Sequence, residues 1–247
     1  MPAPQPTILA TSGGFKPGER TRIEFNHLVH YAVELSGVTG RTPRVTNIGT
    51  ASGDQRWWAA EIDQAAKVAQ FDLTHLNLFT MPNIADPEAH LLEQDVVWVN
   101  GGSVVNLLAV WRAHGLDSVL RKAWEAGVVL AGVSAGSICW YQGGVTDSFR
   151  PELQPVTNPL AFLPYASGVH YDSEARRAPA IHQLVADGTL GETHCTDDGV
   201  GLVYRGTQLV EVVSEVRNKA AYRVTAGAGE GVDAVAVEER LESRFLG

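Results

Sequence analysis

Cysteine is scarce. The 247-residue chain has two, Cys139 and Cys195, far apart and without a Cys-x-x-Cys partner. That excludes a disulfide framework and a zinc knuckle, and reduced thiols in a cytoplasmic protein are the simplest expectation. Positive charge is also short: 19 Lys and Arg stand against 28 Asp and Glu, for a formal net charge of −9. With no cluster of basic residues to offset this, a nucleic-acid partner is excluded, because phosphate binding needs a basic face. An anionic substrate would need a local positive pocket set against the overall field. No apolar run approaches the ~20 residues of a membrane-spanning helix. Residues 1–6 have neither the basic nor the apolar region of a secretion signal. There is no internal repeat. What is present is a 45% hydrophobic content, enough for a substantial core, and one domain over residues 1–247 is expected.

The remaining pattern alternates. Thr7 to Thr11, Arg44 to Thr50, Asp72 to Phe79, Asp95 to Asn100 and Val128 to Val133 read as strands. Between them, helices are expected over Glu19–Leu35, from a cap at Ser52–Asp54 to Phe71, over Pro87–Leu92, through Val105 to Trp111, and over Leu116–Ala126. Strands and helices in alternation, with short connections, imply a mostly parallel sheet covered by helices on both faces. Gln142 to Gly168, with four prolines, reads as a long irregular loop of the kind that often carries function. A helix over Arg176–Ala186 follows, then strands over Gly199–Tyr204, Gln208–Val213 and Ala220–Thr225. The turn Arg205–Thr207 joins the first two as an antiparallel hairpin. Ala226 to Gly231 reads as a loop, and Val232 to Leu246 as a strand or a helix. The fold class is therefore α/β: a three-layer sandwich with a mostly parallel central sheet, helices on both faces and a C-terminal β-hairpin.

The strand Val128–Val133 runs into Gly132-Val-Ser-Ala-Gly136. Gly-x-Ser-x-Gly between a buried strand and a helix is the sequence form of a nucleophile elbow, in which a strained turn lifts a serine hydroxyl above the sheet. Ser134 is the candidate nucleophile; the competing reading is a serine that merely caps a helix. A hydroxyl needs a base and a group to orient that base. Of eight histidines, six (His27, His30, His75, His90, His114 and His182) sit in predicted elements or at their ends and are assigned to the surface or to packing. His194 beside Cys195 lacks the further ligands that a metal site requires. His170 stands between the irregular stretch and a helix, a position suited to a base at the sheet's carboxyl edge. Asp197 and Asp198, read at the start of a strand, supply the candidate carboxylates, although Asp-Asp-Gly is also an ordinary turn sequence. The order serine, histidine, acid disfavours an α/β-hydrolase, where the acid precedes the histidine. Trp57, Trp58 and Trp140 are assigned to packing.

Four segments in this order, Val99–Leu108 with its Gly101-Gly102 pair, Gly132–Ser137, Gly168–Tyr171 with Arg176 and Arg177 beyond it, and Asp197–Gly199, resemble the serine peptidases that include peptidase E (α-aspartyl dipeptidase) and cyanophycinase. The fold of those enzymes is similar to class I glutamine amidotransferases. The resemblance implies Ser134 as nucleophile, His170 as base and Asp198 as the third member, where family members place a glutamate or aspartate; aspartate is the shorter acid, with one methylene fewer to reach His170, so Asp197 is kept in reserve. It implies the N–H groups of Gly102 and Ala135 as the oxyanion hole. It also implies a short-peptide substrate, foremost a dipeptide with N-terminal aspartate, whose side-chain carboxylate Arg176 or Arg177 would read. Neither metal nor cofactor is called for, and homo-oligomers are expected. The alternatives are a cyanophycinase-like or broader peptidase, and a non-catalytic binding module. A glutamine amidotransferase is disfavoured, because Ser134 stands where that chemistry needs a cysteine and Cys139 lies beyond the turn.

Overall fold

The computed structural model describes residues 3–228 and 235–247. Its first half is built of β1 (Thr7–Thr11), a small hairpin β2 (Phe15–Pro17) and β3 (Ile23–Phe25), α1 (His27–Ser36), β4 (Arg44–Ile48), α2 (Arg56–Ala69), β5 (Asp72–His75), α3 (Pro87–Leu92), β6 (Val96–Val99), α4 (Val104–Ala113), α5 (Leu116–Glu125), β7 (Val129–Val133) and the single turn α6 (Ala135–Ile138). The second half adds β8 (Tyr141–Thr146), β9 (Gln154–Val156), β10 (Leu163–Gly168), α7 (Arg177–Ala186), β11 (Thr193–Thr196), β12 (Val200–Arg205), β13 (Gln208–Ser214), β14 (Ala221–Ala226), β15 (Ala236–Leu241) and β16 (Arg244–Phe245).

Eight strands form the main sheet in the order β16-β13-β12-β1-β7-β6-β4-β5. From β1 to β5 all pairs are parallel, while β12 runs antiparallel to β1 and pairs with β13 as the expected hairpin. Successive residues of the central strands go to opposite faces. Leu9, Val96, Trp98, Val129 and Ala131 pack with α1 and α2, whereas Ile8, Val97, Val99 and Leu130 pack with α4 and α5. This is the three-layer α/β arrangement expected from the alternation, with apolar residues on both faces of the strands because both faces are covered.

Three expectations are corrected, and one left open between strand and helix is decided. The helix read over Glu19–Leu35 begins only at His27: Phe15 pairs with Phe25 in the β2–β3 hairpin, and the Asn26 side chain caps α1 by accepting from the N–H groups of Leu28 and Val29. The Ser52–Asp54 cap is not one either. Residues Thr50–Ser52 form a 3-10 turn, and the Asp54 carboxylate accepts from Leu78 N–H at 2.6 Å and Phe79 N–H at 3.0 Å, tying down the chain after β5. The irregular stretch 142–168 contains β8, β9 and β10, members of a second, six-stranded sheet in the order β15-β14-β11-β10-β8-β9. Finally, the terminal stretch is strand (β15 and β16), while residues 229–234 of the reading over Ala226–Leu246 lie outside the described residues.

One face of the second sheet carries α7, through Val145, Ala166, Ile181, Val185 and Cys195. Tyr141 and Leu163, from β8 and β10, instead join Leu202 and Tyr204 of β12 in the core on the α4–α5 side of the main sheet. The Tyr141 and Tyr204 hydroxyls meet at 3.1 Å and Tyr204 also bonds His194 Nδ1 at 2.6 Å, so the two sheets are joined by packing and by a buried polar network. No helix among the described residues is long and apolar enough to cross a membrane.

Candidate active site

The carboxyl ends of β1, β4, β6 and β7 fall on one edge of the main sheet, and antiparallel β12 begins there. Ser12, Gly49, Asn100 to Gly102, Ser134 and the turn Asp197–Gly199 are thereby gathered from distant points in the chain.

The elbow forms as its sequence requires. Ser134 takes φ 56° and ψ −115°, in the sparsely populated left-handed half of backbone space, with its N–H bound to Thr11 O at 3.1 Å. Its side chain makes no capping bond to α6, so the hydroxyl is not spent as an N-cap. The flanking glycines are there for close approach: a Cβ on Gly132 would lie 2.4 Å from Gly136 O, and one on Gly136 would lie 2.2 Å from Val99 O. The helix after the elbow is a single turn, so its contribution is the first N–H groups rather than a long dipole.

Across from it, the glycine turn after β6 comes against the serine. A Cβ built on Gly101 would sit 3.2 Å from Ser134 Cβ and 3.7 Å from its Oγ. Gly102 has φ 140° and its α-carbon faces Ala51 O, which a Cβ would approach to 2.4 Å, so only glycine fits. Ala135, the other expected oxyanion donor, is the first residue of α6.

His170 follows β10 with φ 54°. Its ring is partly exposed, and Nδ1 lies 2.5 Å from Asp198 Oδ1. Asp198 sits in the turn between β11 and β12, not at the start of a strand; it is at the edge that carries Ser134 because β12 runs against β1. Its N–H donates to Asp172 Oδ1 at 2.9 Å, and Asp172 is bridged to Lys219. Although partial burial pushes the Asp172 carboxyl up, the Lys219 ammonium and the Asp198 N–H outweigh it and hold its pKa below the ordinary value. Asp197 is buried and turned to other work: Oδ2 accepts from Ala220 N–H at 3.0 Å and from the Tyr222 hydroxyl at 3.5 Å, and burial raises its pKa. Of the two acids, then, Asp198 is the one in contact with His170.

One residue outside the candidates named from the sequence ties these parts together. Ser12, 3% exposed, accepts from His170 N–H at 3.0 Å and meets Thr196 Oγ1 at 2.6 Å. Its backbone N–H goes to Val200 O, and its carbonyl accepts from Gly199 N–H at 2.8 Å. Next to it, Thr11 O holds the elbow. The Ser-Gly-Gly after β1 was the available signal, but a serine hydroxyl bound to a histidine backbone 158 residues away leaves no local pattern.

The remaining candidates divide. The Ser134 hydroxyl has no hydrogen bond within 3.5 Å to His170 among the described residues; such bonds commonly tighten only with substrate in place. Arg176 is exposed, with its guanidinium on Glu174 and on Pro151 O. Arg177 is 5% exposed and donates to Val145 O at 2.6 Å inside the second sheet, and burial lowers its pKa. Both cysteines are free and buried, and burial pushes their thiols well above the ordinary range, so neither is a ready nucleophile. Trp140 and Trp58 do pack as expected, but Trp57 is 55% exposed. Among the described residues, no group of three or more His, Cys, Asp or Glu is placed to hold a metal ion.

Comparison with known proteins shows the family. The model of peptidase family S51 matches residues 8–212. An uncharacterized peptidase of Bacillus subtilis (strain 168), YgaJ, is 41% identical over 217 residues, covering 88% of this chain and 91% of that protein. Peptidase E of Streptomyces coelicolor is 29% identical over 141 residues, 56% of each chain. A solved peptidase from an acI-B1 Actinobacterium superposes with a TM-score of 0.65 at 19% identity, covering 93% of this chain and 97% of that one. At that identity the structural likeness speaks for the fold alone.

Proposed function

The chain belongs to peptidase family S51, and from that premise we propose that it hydrolyses short peptides by acyl transfer to Ser134, foremost dipeptides with N-terminal aspartate. The observation that carries this reading is the His170–Asp198 pair. Asp198 engages Nδ1 at 2.5 Å, which leaves Nε2 as the ring nitrogen for proton transfer at the edge where the uncapped Ser134 hydroxyl stands.

In the reaction, His170 takes the Ser134 proton as Oγ bonds to the scissile carbonyl carbon, and the carbonyl electron pair moves onto oxygen. The N–H groups of Gly102 and Ala135 receive that oxyanion; a donor of this kind contributes about 3 kcal/mol to transition-state stabilisation. Collapse of the tetrahedral species breaks the C–N bond, and the imidazolium gives its proton to the departing amine. Water, deprotonated by the same ring, then opens the ester and frees the serine. Asp198 keeps Nδ1 protonated throughout, so that Nε2 can accept.

Support for aspartate in the acyl position comes from the relative named peptidase E and from Arg176, which is exposed beyond His170, whereas buried Arg177 serves the second sheet. A carboxylate competing with Glu174 for that planar guanidinium would be read in bidentate fashion. Self-association and a cytoplasmic setting belong to the same reading; the free, buried thiols are in keeping with the latter. The test is hydrolysis of Asp-Ala, Glu-Ala and β-aspartyl-alanine by the wild type and by Ser134→Ala. Release of aspartate from Asp-Ala by the wild type, and near-complete loss in the variant, is expected. Equal rates in both proteins would remove Ser134 from the chemistry, and a preference for the β-linked or the glutamyl peptide would replace the aspartyl assignment.

A further inference from the structure

The nucleophile has a second neighbour. Gly101, packed against Ser134, and Val133, which precedes it, border a cleft of about 340 Å³ whose other walls include Phe15, Trp57, Trp58 and Asn100. That volume is at the small end of ligand pockets, about 300–1,000 Å³, and suits a single side chain. The walls are aromatic and mutually braced. Phe15 lies edge-on to Trp58, with centroids 5.2 Å apart at 74°, and edge-on to buried Trp98 at 6.4 Å and 81°. Trp57 is set at 5.5 Å against Trp58 and keeps over half of its surface open. None of the lining residues is charged.

Asn100, at the base of the cleft, carries an uncompleted amide. It is 2% exposed and lines the cleft, yet neither its amide nitrogen nor its amide oxygen has a hydrogen-bond partner. An orphaned buried amide is costly unless something completes it.

We infer that this cleft is the subsite for the residue that follows aspartate, and that it selects a large aromatic or apolar side chain there. The inference rests on the Asp-X reading and deepens it. A dipeptide has two side chains to place. Among the described residues, the only cation at its walls is Arg22, whose guanidinium lies over the Trp57 ring at 5.6 Å and is not among the lining residues; a carboxylate moved between the rings loses its hydration without a lining cation to pair with, which disfavours the aspartate side chain here. The neighbouring residue is left to fill it, with its ring against Phe15, Trp57 and Trp58 in the edge-to-face and offset arrangements that aromatic groups favour. The tryptophans that sequence reasoning assigns to packing thus become a specificity wall beside the elbow.

The test compares kcat/KM for Asp-Phe, Asp-Leu, Asp-Ala and Asp-Gly. A single methylene in an apolar pocket is commonly worth about tenfold or more in kcat/KM, so the wild type should favour Asp-Phe over Asp-Gly by at least about tenfold. Trp57→Ala, at a half-exposed position that the fold tolerates, should compress that ratio to within about threefold, and Trp57→Phe should restore most of it. A wild type without preference, or a preference that Trp57→Ala leaves intact, overturns the subsite. A binding experiment separates this from the catalytic reading. L-phenylalaninamide is titrated into Ser134→Ala protein and followed by ligand-observed NMR, with Trp57→Ala in the same background as the control. Saturable binding that the control loses, alongside no hydrolysis of any Asp-X peptide, removes the aspartyl assignment and keeps the cleft. Hydrolysis of Asp-X with no dependence on X removes the cleft and keeps the assignment. Failure of both experiments removes both.

Discussion

Replacing Ser12 by alanine deletes one oxygen and leaves two buried groups without their partner. His170 N–H loses its acceptor at 3.0 Å, and Thr196 Oγ1 loses its contact at 2.6 Å. A buried donor left unsatisfied costs about 1–3 kcal/mol. His170 is also held at φ 54°, a conformation that itself stores about 1–3 kcal/mol and persists only where the surroundings enforce it. The cheapest relief is for the His170 backbone to relax, swinging the ring away from Ser134. If that displacement consumes about 1.4–2.8 kcal/mol of transition-state stabilisation, kcat falls roughly 10- to 100-fold. KM should change little, because Ser12 touches neither the glycine turn nor the aromatic cleft. The assay is steady-state hydrolysis of an Asp-X dipeptide alongside urea unfolding of the same preparations. Ser12→Thr, which keeps the hydroxyl, should recover most of the rate. A Ser12→Ala enzyme with kcat within twofold of wild type, or one whose rate tracks its loss of stability and is not recovered by threonine, would refute the reasoning.

Three further outcomes follow from the same geometry. Gly136→Ala sets a Cβ 2.2 Å from Val99 O, a clash with backbone that cannot rotate away; a loss of about 3 kcal/mol in unfolding free energy, at the upper end of overpacking costs, is expected together with loss of activity. Asp198→Asn should lower kcat by about 10³–10⁴-fold through loss of the tautomer, while Asp197→Ala, which removes the acceptor of the Ala220 N–H, should lower the unfolding midpoint and leave kcat within a few-fold; the reverse pattern would exchange their roles. Asp172 has a folded-state pKa below its unfolded value, so its contribution to stability is present above about pH 4 and lost as pH falls through the lowered value. Thermal unfolding of wild type and Asp172→Asn between pH 6 and pH 2.5 should therefore converge at the acid end, and a difference that persists there contradicts the assignment.

The parallel half of the fold and the elbow were legible because they are local. An apolar strand followed by Gly-x-Ser-x-Gly, and another followed by Gly-Gly-Ser, declare strand, turn and helix within about a dozen residues. Of the second sheet, β14 was legible as the strand Ala220–Thr225, and the strands of the 142–168 stretch were not. Its β8 and β10 carry Gly143, Gly144 and Gly168, its β9 carries Pro155, and β10 carries Pro164, all residues that argue against strand. The structure accommodates them: β9 is the edge of its sheet, and Pro164 sits where the pairing of β10 with β8 shifts register between Leu163 and Ala166. The same distinction runs through the site. Ser134 and the glycines are candidates by pattern, and His170 by context and resemblance. Asp198 could be separated from Asp197 only by tertiary contact, because the choice depends on which carboxylate the Ala220 N–H engages. The aromatic cleft escaped notice because Trp57 and Trp58 fit a helix's apolar face equally well as core, and exposure is not written in helical spacing.

The central claim is that Ser134 is a nucleophile activated by His170. Intact-mass and peptide mapping after reaction with a fluorophosphonate test it most directly. The account predicts one adduct per chain, located on Ser134, absent from Ser134→Ala and formed far more slowly in His170→Ala. No adduct on the folded wild type, or an adduct whose rate is indifferent to His170, would contradict it.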